Sequence, residues 1–112
     1  MELKLNIYNG KKIEKTYTSR DFDLRTGTCE DILKLVDIDK FSGGIGDEEA
    51  MMEVLKVVVK AFGKFKTLMQ EIFEGLTDEE YSNTTIKEVA GVVLKVIMFT
   101  ISELFNIANE KN

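Results

Sequence analysis

The side chains that most often carry out catalysis are scarce in this sequence. It contains a single Cys, Cys29, and no His among its 112 residues. Cys29 lies near the start of a predicted helix, where the helix dipole favours a thiolate, but no imidazole is present to activate it as a nucleophile. A lone Cys also excludes an internal disulfide and a Cys-based zinc site. Cys29 is therefore interpreted as a small residue at a helix start.

Carboxylates are abundant, with 20 Asp and Glu residues in the chain. Pairs of them can act as general acid and base. Here they concentrate at predicted helix starts, where favourable interaction with the helix dipole accounts for them without catalysis. We therefore predict that the protein is not an enzyme and that it uses no cofactor.

A glycine-rich segment, Ser42-Gly-Gly-Ile-Gly46, precedes a predicted helix. Glycines at such a position let backbone N–H groups approach a phosphate at the helix N-terminus. The next residues are Asp47, Glu48 and Glu49, which would repel an anion, and no Gly-Lys-Ser/Thr follows. The segment is therefore interpreted as a loop between two helices.

A second candidate is a calcium loop over residues 37–48. Asp37, Asp39 and Glu48 occupy its first, third and twelfth positions. Phe41 stands where the fifth position needs an oxygen ligand, and Ser42 replaces the glycine that makes the sharp turn. We therefore predict no metal site, but a helix end followed by an acidic helix start.

Charge is distributed unevenly over an acidic chain. Lys and Arg number 15, which gives a net charge of −5 and argues against nucleic-acid or anionic-membrane binding. Lys56, Lys60 and Lys64 nevertheless recur every four residues. The simplest interpretation of this spacing is a solvated helix face, and the alternative is a docking surface for an acidic partner helix.

The elements that position these residues form one predicted domain, residues 1–112, of the α+β class. Residues 1–18 predict a β-hairpin, with Leu3, Leu5 and Ile7 on one face and a turn at Asn9-Gly10. A second strand face is expected to carry Ile13, Lys15 and Tyr17. Two registers are favoured: a three-residue loop, which pairs Ile7 with Ile13 and Leu3 with Tyr17, or a bulge.

Helical periodicity and capping residues predict three main helices and a short one after the hairpin. The predicted helices are 28–41, 47–74, 77–82 and 85–109. Thr28 and Asp47 are the expected N-caps of the first two, and Gly75 is the expected stop of the second. Capping boxes are predicted to begin at Thr77 and Thr85. The hairpin is therefore expected to pack on a helical bundle.

The last helix is the most informative element. Its segment 92–101 is apolar on nearly every side, in a chain that is 44% apolar. Such a helix is either central in its own core or shared with another copy or a client protein. The residues that we predict to make partner contacts are Val96, Phe99, Ile101, Leu104 and Phe105.

No targeting or membrane segment is expected. The N-terminal segment 1–8 alternates polar and apolar residues, unlike a signal peptide. The apolar stretch 89–101 is interrupted by Gly91, Lys95 and Thr100 and is shorter than a membrane span. With one thiol and no export signal, a cytoplasmic location is expected.

Four segments of the chain carry a resemblance to a known family. They are Met-Glu-Leu-Lys-Leu-Asn-Ile at 1–7, Tyr-Thr-Ser-Arg-Asp-Phe-Asp-Leu at 17–24, Asp-Ile-Leu-Lys-Leu-Val-Asp-Ile-Asp at 31–39, and residues 65–81. Together they resemble the tail assembly chaperones of long-tailed phages and prophages of Gram-positive bacteria, over nearly the whole length of the chain. Its closest part is Ile-Phe-Glu-Gly-Leu-Thr-Asp-Glu-Glu at 72–80. These motifs are caps and apolar positions, not catalytic signatures.

The resemblance implies a non-enzymatic function in virion assembly. Members of the family bind the tape measure protein in the host cytoplasm, keep it soluble and help the major tail protein assemble around it. The chaperone then leaves and is absent from the mature virion. Two other functions are considered, a structural tail or connector subunit retained in the virion and a small prophage regulatory binding protein.

Overall fold

The computed structural model describes residues 2–42 and 45–110; for Cys29, Ile38, Ser42 and residues 101–110 it describes the backbone alone. Within these ranges the chain forms two strands followed by six helices. They are β1 (Leu3–Asn9), β2 (Lys12–Ser19), α1 (Thr26–Leu35), α2 (Ile38–Ser42), α3 (Asp47–Lys60), α4 (Phe62–Ile72), α5 (Asp78–Ser82) and α6 (Ile86–Glu110). The expected α+β class, a hairpin followed by a mainly helical bundle, is confirmed.

The hairpin uses a two-residue turn and a bulge. Asn9 pairs with Lys12 around a turn in which Gly10 has a φ of 64°. Glycine suits this left-handed position because it has no Cβ to clash with the backbone. The register then shifts between Ile7 and Tyr8, so that Glu14 is the extra residue on β2. Of the two favoured registers, the bulge is confirmed and the three-residue loop is wrong.

The bulge decides which residues of β2 share a face. Ile7 lies opposite Lys15, and Leu5 lies opposite Tyr17. Ile13 instead lies opposite Tyr8 and is 54% exposed. The prediction that Ile13 shares a face with Lys15 and Tyr17 is therefore wrong, because one extra residue reverses the alternation of side chains.

The first predicted helix, 28–41, is two helices. α1 ends at Leu35, and its C-cap residue Val36 is extended and buried. The Asp37 side chain then accepts a hydrogen bond from the Asp39 backbone N–H (3.2 Å). Asp competes for backbone donors in this way and thus starts a new helix. α1 begins at Thr26 with Arg25 at the N-cap, so the prediction of Thr28 as N-cap is wrong. The Thr28 hydroxyl donates to Glu71 Oε1 instead (2.8 Å).

The second predicted helix, 47–74, is divided at Ala61. Ala61 has φ −133° and ψ 40°, and its carbonyl accepts from Lys64 N (2.9 Å) at the start of α4. The apolar spacing stays in phase across this position, since the buried Val58 and Phe65 are seven residues apart. The sequence pattern therefore does not reveal the break. The N-cap of α3 is Gly46, and Asp47 is its first residue.

The predicted signals around the short helix α5 are confirmed. Gly75 has a φ of 89° and follows the end of α4. Thr77 and Glu80 form the complete capping box of α5. At the start of α6, Thr85 Oγ1 accepts a hydrogen bond from Glu88 N (3.2 Å). Gly75 and these caps together turn the chain from α4 into α6.

The core lies where α6 packs against α3 and β1. Among its described side chains, α6 contributes six buried residues, Val89, Ala90, Val92, Val93, Val96 and Ile97. α3 contributes Ala50, Val54 and Val58, and β1 contributes Leu3, Leu5 and Ile7. The hairpin is also tied to the α5–α6 junction, because Tyr8 N donates to Asn83 O (2.9 Å) and Asn6 Nδ2 donates to Glu88 Oε1 (2.7 Å).

The bulged register predicts unequal effects for two apolar residues of the hairpin. Leu5→Ala should lower the free energy of unfolding by about 2–5 kcal/mol, because it leaves a cavity under a completely buried side chain. Ile13→Ala should change it by less than about 0.5 kcal/mol, because Ile13 lies on the outer face. Urea denaturation of both variants measures this difference, and a comparable loss in Ile13→Ala would contradict the register.

Candidate functional site

The apolar segment of α6 divides into a buried part and an exposed part. From Val89 to Ile97, the apolar residues face the chain's own core or are half-buried, as Leu94 is. Met98 and Phe99 then stand 43% and 42% exposed. Most of the apolar character of this helix is therefore explained by its central position in the fold.

The predicted contact residues fall on both sides of this division. Val96 is 2% exposed and belongs to the core, whereas Phe99 is accessible. Ile101, Leu104 and Phe105 lie outside the side chains that the structure describes, although the backbone of α6 continues as a helix to Glu110. Phe99 is thus the one predicted contact residue whose side chain is described and exposed.

The connector between the hairpin and α1 contributes a neighbour to Phe99. The Phe22 ring lies 6.3 Å from the Phe99 ring, with an interplanar angle of 58°. This tilted arrangement is favourable for two aromatic rings. The Phe22–Phe99 contact orients one side of Phe99 and leaves its other side, with Met98, open to a partner. We call Phe22, Met98 and Phe99 the α6 apolar surface.

A second cluster, which the sequence analysis did not predict, joins β2 to α5. Glu80 Oε1 accepts hydrogen bonds from the Tyr17 hydroxyl (2.7 Å) and from Thr77 N (3.0 Å). Lys15 Nζ donates to Glu80 Oε2 (3.3 Å) and to the Tyr17 hydroxyl oxygen (2.9 Å). The capping box locates Glu80 in the sequence, but no local pattern shows that Lys15 and Tyr17 meet it.

Lys, Tyr and Glu in mutual contact could in principle transfer protons, but the charges of this cluster are fixed. The Tyr17 hydrogen bond, followed by that of Thr77 N–H, lowers the pKa of Glu80 to about 2. The hydrogen bonds to Tyr17 and Glu80 raise the pKa of Lys15. A general acid or base works best with a pKa near the working pH. The cluster is therefore a polar clamp between the hairpin and the helices.

Another polar contact joins α1 to α4. Glu71 Oε1 accepts from Thr28 Oγ1 (2.8 Å) and lies 3.7 Å from Arg25 Nε, while Glu71 Oε2 is buried without a hydrogen-bond partner. The adjacent cavity of about 60 Å³ is lined by Thr28, Asp31, Ile32, Leu35, Lys64, Phe65, Thr67 and Leu68. Binding pockets for small molecules are several times larger.

The other motifs that lie in the described residues are accounted for by the fold. Asp37 caps α2, and in the described side chains no group of three Asp, Glu or Cys residues is placed to hold a metal ion. Asp47, Glu48 and Glu49 lie in the first turn of α3. Lys64 belongs to α4, so the predicted stripe of three lysines is interrupted by the break at Ala61. Gly43 and Gly44 lie outside the described residues, as does the side chain of Cys29.

A search of the described helices finds none that is long and apolar enough to cross a membrane. Comparisons of the chain with protein-family models, with curated proteins and with solved structures find no match.

The Glu80 clamp predicts a specific pH dependence of stability. The pKa of Glu80 is about 2 in the folded chain and 4.5 when unperturbed, so the unfolded chain binds the proton first as the pH falls. The stability that this carboxylate contributes is therefore complete above about pH 4.5 and is lost between about pH 4.5 and 2. Glu80→Gln should have a lower free energy of unfolding than wild type at neutral pH. The difference in free energy between the two should shrink as the pH falls through this window.

Urea denaturation at several pH values measures this difference, and Glu79→Gln is the matched control because Glu79 is an exposed neighbour on the same helix. The clamp would be contradicted if the difference in free energy of unfolding between wild type and Glu80→Gln stayed constant down to the lower limit of the window.

Proposed function

We propose that this chain is a tail assembly chaperone of long-tailed phages, which binds the tape measure protein through the α6 apolar surface. Two independent lines support this proposal. The first is the sequence resemblance over nearly the whole chain. The second is the exposure of Met98 and Phe99 next to each other, directly after the core residues Val96 and Ile97.

The exposed pair carries the proposal because its chemistry suits a hydrophobic client. Burying a Met or Phe side chain contributes roughly 1.5–3 kcal/mol, and this attraction does not depend on a particular orientation. The unbranched Met side chain adapts to differently shaped surfaces, while the Phe99 ring, oriented by Phe22, offers a rigid contact. Such a surface can cover apolar segments of a long helical client without recognising one defined sequence.

Charge complements this surface. The chain carries a net charge of −5, and five acidic residues at the starts of α3 and α5 are exposed, namely Asp47, Glu48, Glu49, Asp78 and Glu79. A complex coated by this acidic protein is repelled by other such complexes, which opposes aggregation of the client. The site of action proposed here is the host cytoplasm, where the client is synthesised, and the major tail protein is the second partner.

A polar substitution on the α6 apolar surface tests the proposal. Phe99→Ser should reduce the soluble fraction of the tape measure protein when both are co-expressed, because it removes exposed apolar area without opening the core. Ile86→Ser is the matched control, since Ile86 lies on the same helix with the same 42% exposure but at its opposite end. Densitometry of soluble and pelleted tape measure protein measures the effect.

If the tape measure protein is equally soluble with wild type, with Phe99→Ser and with Ile86→Ser, the α6 apolar surface is not the site of client binding. If wild type itself fails to increase the solubility of the tape measure protein, the chaperone function is wrong. Detection of the chain in purified virions by mass spectrometry would instead favour a structural tail or connector subunit.

A further inference from the structure

The outer face of α3 carries the most exposed large apolar residues in the described part of the chain. Val59 is 59% exposed and Met52 is 55% exposed. They are seven residues apart, which is about two helical turns, so they lie on the same side of the helix. Val54 and Val58, which are completely buried, lie on the opposite side. Met52 and Val59 therefore point away from the core.

Charge changes sign along this face. Glu48 and Glu49 lie on it at the N-terminal end of α3, and Lys56 and Lys60 lie on it at the C-terminal end. All four side chains are exposed. Lys56 makes a surface ion pair with Glu53 (3.7 Å), which another carboxylate can replace at little cost. The face is thus acidic at one end, basic at the other and apolar between and beside the charges.

A surface with this order of charges is complementary to itself when two copies are related by a two-fold axis. We propose that the chain forms a homodimer through an antiparallel pair of α3 helices. With the axis at the level of Val54, Glu49 of each copy lies beside Lys60 of the other, because the two residues are on the same flank of the face, five and six residues from the axis. Met52 then lies along the aliphatic part of the second copy's Lys56. Each contact occurs twice by symmetry.

The charge order also selects a second copy over an unrelated partner helix. An acidic helix would match Lys56 and Lys60 but would meet Glu48 and Glu49 at the other end of the face. An antiparallel copy satisfies both ends and also opposes the two helix dipoles. A single pair of 14-residue helices is a small interface by the standard of stable dimers, so the dimer should be reversible and depend on concentration.

Charge reversal tests this dimer on the full chain. The double variant Glu48→Lys, Glu49→Lys makes the face entirely basic, and the double variant Lys56→Glu, Lys60→Glu makes it entirely acidic. Sedimentation equilibrium measures the dimer dissociation constant of each. Each variant should dimerise at least about ten-fold more weakly than wild type, because symmetry applies every reversal twice. An equimolar mixture of the two should form a heterodimer, since a basic face then meets an acidic one.

The control is Lys11→Glu with Lys87→Glu, which changes the net charge as much as the acidic variant but at exposed positions away from α3. It should dimerise like wild type, apart from a general effect of net charge.

Far-UV circular dichroism establishes that each variant is folded. If the basic variant does not fold, the acidic variant and its control still decide the question, together with Met52→Ser, which should weaken the dimer without changing charge.

Three results would overturn the proposal. The wild-type chain could stay monomeric at the highest concentration reached, or the acidic variant could associate as strongly as its control. The third is that the acidic and basic variants, although both folded, do not associate with each other. None of these results bears on client binding by the α6 apolar surface. The dimer and the chaperone function can therefore fail separately.

Discussion

The burial of α6 between α3 and β1 is the contact on which the rest of this structure depends. A two-stranded hairpin is only marginally stable alone, and here Leu3, Leu5 and Ile7 gain their stability by covering one side of α6. The valines of α3 cover another side. Because α6 is apolar around most of its circumference, it needs both neighbours, and the part that extends beyond them leaves Met98 and Phe99 exposed. The same packing thus creates the core and its exposed apolar end.

Three carboxylates in the described part of the chain connect elements that are distant in sequence. Glu80 ties the hairpin to α5, Glu88 ties it to α6, and Glu71 ties α1 to α4. These carboxylates accept hydrogen bonds from donors that fix their position, as the low pKa of Glu80 illustrates. Each of these three carboxylates therefore fixes the position of one element relative to another.

The two surfaces proposed for binding differ in their physical basis. The α6 apolar surface has no charge of its own and suits contact with many apolar segments. The outer face of α3 combines two apolar residues with charges in a fixed order, which favours one partner in one orientation. Both lie on the helices that form the core, so each is presented on a rigid support. A chaperone that dimerises through α3 would offer two α6 surfaces to one long client.

Local signals specify the fold class, the hairpin, the turn at Gly75 and the capping box at Thr77, because each depends on local periodicity or on a residue with a local conformational preference. The sequence leaves open whether the last helix is central in its own core or shared with a partner, and the packing of α6 against α3 and β1 makes it central. The sequence did not determine the breaks at Asp37 and Ala61, since the apolar spacing runs through the second without a change of phase. Nor did it determine the bulge, because both candidate registers place the same strand against the core. The Glu80 clamp and the Phe22–Phe99 contact were decided by tertiary structure alone, since each joins residues more than fifty positions apart.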